Sequence, residues 1–113
     1  MPPLSINLFL HGEALTLTRV CSMGAGDQLI IECRVGRIPP GREAFWHERL
    51  LVLNFQICTL QRSGYSLCPD TAEVTCSATC PLDGLSPETI YASAVRLATT
   101  VRQWRVSLSQ ADA

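Results

Sequence analysis

Six cysteines, two histidines and ten carboxylates could do chemistry in this chain of 113 residues, so their spacing is the first question. Cys76 and Cys80 stand four apart in Val74-Thr75-Cys76-Ser77-Ala78-Thr79-Cys80. On a helix that spacing makes a metal or redox pair. The segment reads as a strand, however, where four residues span about 13 Å, and a disulfide needs Cα atoms within about 7 Å. Cys33 lies inside Leu29-Ile30-Ile31-Glu32-Cys33-Arg34-Val35 and reads as a small core hydrophobe. No CxxC pair and no Cys/His group at zinc spacing occurs. A secreted disulfide framework would want a signal peptide and a loop-rich chain. Cys21, Cys33, Cys58, Cys68, Cys76 and Cys80 are therefore expected to be reduced, structural thiols.

The other reactive types are equally scattered. Ser63-Gly64 lacks the GxSxG setting of a nucleophile elbow, and the glycines form neither a dinucleotide nor a phosphate-binding loop. His11 falls at a strand end and His47 within a helix, each without a partner residue to activate it. The carboxylates are spread over turns and solvent faces, with no pair marked for acid–base work. The expectation is no catalytic residue, no metal and no cofactor.

Charge and composition narrow the remaining classes. The net charge is −1 and all nine basic residues are Arg, which argues against binding a polyanion such as nucleic acid. Arg96, Arg102 and Arg105 are expected to solvate the outer face of the last helix and to favour the negative end of its dipole. No run approaches the roughly 20 apolar residues that span a bilayer, and Met1-Pro2-Pro3-Leu4-Ser5-Ile6 has no basic segment leading into an apolar stretch. These features predict a soluble protein that stays where it is made, without membrane insertion. Hydrophobic residues make up 47% and charged residues 17%, against a usual charged share of about 25%. So few charges leave apolar surface uncovered in a single small domain, here read as residues 1–113, and predict an oligomer or an obligate partner.

The elements that carry these residues follow from periodicity. Ser5 to His11, Ala14 to Cys21 and Gln28 to Val35 alternate as three strands, joined by a reversal at His11-Gly12-Glu13 and a turn at Met23-Gly24-Ala25-Gly26-Asp27. Ile6, Leu8 and Leu10, then Leu15 and Leu17, then Leu29, Ile31, Cys33 and Val35 are expected on the core face. Gly36-Arg37-Ile38-Pro39-Pro40-Gly41 breaks the sheet, because neither proline can donate to a ladder. Arg42 to Phe55 then reads as a helix. Phe45 and Val52 are seven apart, and Trp46, Leu50 and Leu53 follow i, i+4, i+7, so most of its circumference is apolar. Such a helix is expected to be buried on more than one side and to carry a subunit interface.

Ile57 to Leu60 and Tyr65 to Cys68 bracket a hairpin-like turn at Gln61-Arg62-Ser63-Gly64, and Glu73 to Cys80 reads as the last strand. Ser86 can cap the final helix, Pro87 suits its first position and Glu88 its positive end, while Leu85 can staple against Ile90. Ile90, Ala94, Leu97, Val101, Trp104 and Leu108 form one apolar stripe. The fold class is α+β, an antiparallel sheet with a helix inserted between its strands and a C-terminal helix, in the order β-β-β-α-β-β-α.

Leu50-Leu51-Val52-Leu53-Asn54, then Gly64-Tyr65-Ser66-Leu67, Glu73-Val74 through Pro81-Leu82, Leu85-Ser86 and finally Trp104-Arg105 follow one another in this order. Over roughly residues 5–108 the chain resembles the small class I chaperones of bacterial type III secretion systems, the Tir-chaperone-like family. The resemblance implies a cytoplasmic homodimer that binds the N-terminal segment of a secreted effector and keeps it export-competent by binding alone. It implies a dimer contact on the middle helix, placed at Phe45, Trp46, Leu50, Val52 and Leu53. It also implies a helix ahead of the first strand, whereas the sequence given opens almost directly on that strand. An upstream helix, cover from another chain, or a different mode of binding would each account for this. A sheet face left open would be adhesive, and Phe9, Val20 and Ile30, facing away from the core positions, are the expected effector contacts. A thiol-based redox or metal protein and a structural subunit of a larger assembly remain the alternatives.

Overall fold

The computed structural model of the chain describes residues 5–22, 26–58 and 63–111. Strands β1 (Ser5–Leu10), β2 (Glu13–Ser22) and β3 (Gly26–Arg37) precede helix α1 (Glu43–Cys58). Strands β4 (Ser63–Cys68) and β5 (Glu73–Pro81) and helix α2 (Pro87–Ala111) follow it. The five strands form one antiparallel sheet in the order β1-β2-β3-β5-β4. This is the α+β arrangement read from the sequence, with the same order of elements.

Local chemistry explains the joints. His11 and Gly12 both take positive φ, 52° and 81°, and a two-residue turn of that kind matches the twist of the strands it joins. The turn sets the register Leu10↔Glu13, Leu8↔Leu15, Ile6↔Leu17. At α2, Ser86 Oγ accepts from the Thr89 backbone N–H at 3.2 Å, a helix cap of the expected kind. Leu85 and Ile90 are both half-buried against the core.

All of the core lies on one face of the sheet. Leu15, Leu29, Ile31, Cys33, Val35, Val74 and Cys76 meet Ala94, Leu97, Ala98 and Val101 of α2, which crosses β1, β2, β3 and β5. Helix α1 packs against β4 on the same face, where Trp46 and Trp104 rings lie 5.4 Å apart and Tyr65 and Trp104 rings 5.2 Å apart. The opposite face carries Thr16, Thr18, Thr75, Ser77 and Thr79 with no element over it among the described residues.

Several expectations need correction. Ile57 and Cys58 belong to α1, which continues into the stretch placed ahead of the hairpin-like turn, while Thr59 and Leu60 lie outside the described residues. The turn placed at residues 61–64 gives way at Ser63 and Gly64, which already pair in β4; Gln61 and Arg62, like Met23 to Ala25 of the first turn, are outside the described residues. Ile6 keeps the inward side of β1 by register but is 65% exposed, because α2 reaches only the far part of that strand.

Arg105 departs furthest from its expected place. The β3–β5 register jumps from Arg34↔Thr75 to Gly36↔Val74, leaving Val35 as the extra residue of a bulge. Arg105 reaches that bulge from α2. Its Nε donates to the Val35 carbonyl at 2.9 Å, one terminal nitrogen donates to the Arg34 carbonyl at 2.7 Å, and the other pairs with the Glu13 carboxylate. Glu13 is only 4% exposed, so one carboxylate is neither on a turn tip nor on a solvent face. Arg96 and Arg102 are exposed as expected.

Candidate functional site: two apolar surfaces and one closed edge

The first surface is the outer side of α1. Trp46 and Leu50 are buried and Leu53 half-buried, because i, i+4, i+7 places them on the side facing Tyr65 and Trp104. These three side chains therefore meet the chain's own core. Phe45, whose ring meets Trp46 edge-on at 5.3 Å, and Val52 flank that buried side and are 49% and 51% exposed, and Leu51 and Phe55 continue the outer surface at 71% and 74%. The sequence reading named Phe45 and Val52 and missed Leu51 and Phe55. The signal was present, since Leu51 and Phe55 are i, i+4 on the side opposite Trp46 and Leu50. Arg42 stacks over the Phe45 ring at 4.9 Å, at the rim of this apolar strip.

Asn54, the last residue of Leu50-Leu51-Val52-Leu53-Asn54, does something periodicity does not reveal. Its Nδ2 donates to the Tyr65 carbonyl at 2.9 Å, and its Oδ1 accepts from the Tyr65 backbone N–H at 2.7 Å. One side-chain amide thus satisfies both outward backbone groups of Tyr65, as a neighbouring strand would. Edge strands invite pairing by foreign strands through such groups. At β4 the helix closes that edge. At the other end of the sheet, β1 has no neighbour beyond it among the described residues.

The second surface adjoins that open edge. A groove of about 540 Å³ lies between β1 and the first turns of α2, lined by Leu8, Phe9, Leu10, Pro87, Ile90, Tyr91 and Ala94 with His11 at its end. Phe9 is 78% and Tyr91 59% exposed there. Tyr91 escaped the sequence reading because it stands beside, not on, the apolar stripe of α2. The three residues nominated for effector contact do not form one cluster. Val20 pairs with Gln28 and Ile30 with Thr18, two residues along β2, so Val20 and Ile30 are diagonal neighbours, both half-buried. Phe9 pairs with Ala14, about 13 Å further along β2 from Thr18. Around them the open face is hydroxyl-lined, with Ser5 and Thr18 side chains hydrogen-bonded at 3.2 Å and Thr16 donating to Asn7 at 3.1 Å.

The thiols are dispersed. Cys21 and Cys68 are exposed, Cys80 is intermediate, and Cys33 and Cys76 are buried and free. Cys76 and Cys80 follow one extended strand, β5. Burial pushes the Cys76 thiol up to about 12 and raises Cys33 as well. The Thr71 hydroxyl, with the Thr71 and Asp70 backbone N–H groups, lowers the exposed Cys68 thiol. No group of three or more His, Cys, Asp or Glu side chains is placed to hold a metal among the described residues. Nor is any helix among them long and apolar enough to cross a membrane.

A comparison with curated proteins found no match. The model of the Tir chaperone protein family does match, over residues 18–105, from within β2 to the Arg105 clamp. That span takes in the bulged β3, the helix whose asparagine closes the sheet edge, both following strands and the Trp104-Arg105 pair, and on it this chain belongs to the Tir chaperone protein (CesT) family.

Proposed function

We propose that the chain is a type III secretion chaperone, a single domain over residues 1–113. It pairs as a homodimer in the bacterial cytoplasm and holds the N-terminal segment of a secreted effector export-competent. It works by binding, without catalysis, cofactor, nucleic acid or membrane insertion. Family membership over residues 18–105 supports the reading. The observation that carries it furthest is the presence of two separate apolar surfaces on one small chain, since a homodimer that also holds a client needs both.

The outer side of α1 suits a second copy. Phe45, Leu51, Val52 and Phe55 present four large apolar groups along one helix, and two such helices related by a two-fold axis cover each other with the same residues. Trp46, Leu50 and Leu53 fix the helix from beneath by seating it on β4. The groove beside β1 suits the client. An extended segment lying along β1 would meet unpaired backbone groups and, at alternate residues, the cavity between β1 and α2. Phe9 belongs to that groove, and Val20 and Ile30 extend the contact onto the open face.

Co-purification from the native host, with mass spectrometry of what accompanies the chain, tests the reading. The expected result is one secreted protein bound through its N-terminal segment to a dimer. Replacing Phe9, Val20 and Ile30 with Ser should abolish recovery while light scattering still reports a dimer. Replacing Val52 and Phe55 with Asp should yield monomers. A wild-type monomer at micromolar concentration that recovers no secreted protein would refute the proposal.

A further inference from the structure

The register of the two central strands places Cys33 directly opposite Cys76. Directly opposed residues of an antiparallel pair have Cα atoms about 4.5 or 5.5 Å apart, and both separations fall in the range that a disulfide accepts, about 4.4–6.8 Å. Both side chains lie on the core face, 2% and 3% exposed, in a transverse row that runs Leu8, Leu15, Cys33, Cys76, Tyr65. No other described cysteine has this relation: Cys21 opposes Asp27, Cys80 opposes Leu29 and Cys68 opposes Glu73.

We propose that Cys33 and Cys76 form a redox-modification site, closed by a peroxide into an intrachain disulfide that joins β3 to β5. The inference does not depend on which client the chain holds. A peroxide is the fitting oxidant class because it is small, whereas a bulky disulfide reagent could not form a mixed disulfide at residues this buried. The minor thiolate form of Cys33 attacks a peroxide oxygen; the O–O bond breaks, a sulfenic acid forms, and the departing hydroxide takes up the proton that the thiol released and becomes water. Cys76, losing its own proton, then attacks that sulfur; the S–O bond breaks and the second hydroxide leaves as water with that proton. Two thiols lose two electrons in total and one hydrogen peroxide becomes two waters. Either thiol could attack first, with the same balance.

Burial keeps both thiols protonated, so closure is slower than oxidation of the exposed Cys68, whose thiolate is stabilised by Thr71. The site therefore responds to sustained rather than brief exposure. Once formed, the bond spans the segment carrying α1 and β4 and ties the two strands at the centre of the sheet. A loop of this length is expected to raise Tm by roughly 15 °C.

The test uses the full chain with Cys21, Cys58, Cys68 and Cys80 replaced by Ser, its fold checked by circular dichroism. After hydrogen peroxide and alkylation, a loss of about two mass units, a Cys33–Cys76 linked peptide, higher Tm and reversal by dithiothreitol are expected. The same linked peptide is expected in the wild-type chain, which covers the case in which the variant does not fold. Adding Cys76→Ser should abolish both the link and the gain in Tm. Sulfinic acid at either residue, a link between chains, or two thiols still alkylatable after prolonged exposure would each overturn the proposal.

Discussion

Replacing Arg105 with Met keeps much of the side-chain volume and removes the guanidinium that binds the β3 bulge. Three contacts go at once: the bonds to the Val35 and Arg34 carbonyls and the pair with Glu13. Stranding one member of a buried ion pair costs about 3–5 kcal/mol. The Arg105 side chain is 46% exposed, so water can enter beside Glu13 and moves the figure to the low end. Each charge-assisted bond to a carbonyl adds about 1.5–3 kcal/mol when dry; here water replaces much of it. About 3 kcal/mol is the expected loss. For a chain of 113 residues the unfolding entropy is roughly 0.24 kcal/mol per kelvin, so Tm should fall by about 12 °C. Thermal circular dichroism at one fixed protein concentration measures it, since any self-association makes Tm depend on concentration. The double variant Glu13→Gln/Arg105→Met should regain about 1–2 kcal/mol over Arg105→Met, because an amide strands no charge. A fall below about 3 °C, or a Glu13→Gln effect that simply adds, would refute the clamp.

Two further outcomes follow from side-chain hydrogen bonds. Asn54→Leu leaves both Tyr65 backbone groups without the amide and should cost about 1–3 kcal/mol, with faster hydrogen exchange at the Tyr65 amide and self-association through the exposed β4 edge. Unchanged exchange and assembly would show that the helix does not guard that edge. Asp27 is held below the usual carboxylate range, first by the hydrogen bond from Arg19 and then by that from Cys21. A depressed carboxylate favours the fold above its ordinary value, and that contribution fades as pH falls through the lowered one. Carbon-detected NMR should find an Asp27 midpoint that rises in Arg19→Gln; an unmoved midpoint would disprove the coupling.

Elements with strong alternation or a single stripe were legible in the sequence. Leu29 to Val35 and the run from Ile90 to Trp104 each bury one face, so pattern and packing agree. The middle helix was legible as a helix but not in its extent, which runs past Phe55 to Cys58. Its two apolar sides were visible, yet which one meets the core depends on Tyr65 and Trp104, contributed by later elements. Pairing between strands distant in the chain was not legible. Cys33 opposite Cys76, and Glu13 near Arg105, are consequences of register and a bulge, and no spacing along the chain encodes either. Asn54 could be seen only as the end of an apolar run; that its amide imitates a strand required knowing where β4 lies.

Helix α2 follows all five described strands and supplies Ala94, Leu97, Ala98 and Val101 as the lid of the core. During synthesis the whole sheet leaves the ribosome before its cover does, with Ile31, Val35 and Val74 facing water until α2 is complete. A nascent chain whose five strands have emerged while Leu97 is still inside the ribosome therefore carries a bare apolar sheet and is itself in need of protection. Ribosome-bound chains of increasing length should become protease-resistant only after α2 clears the exit tunnel.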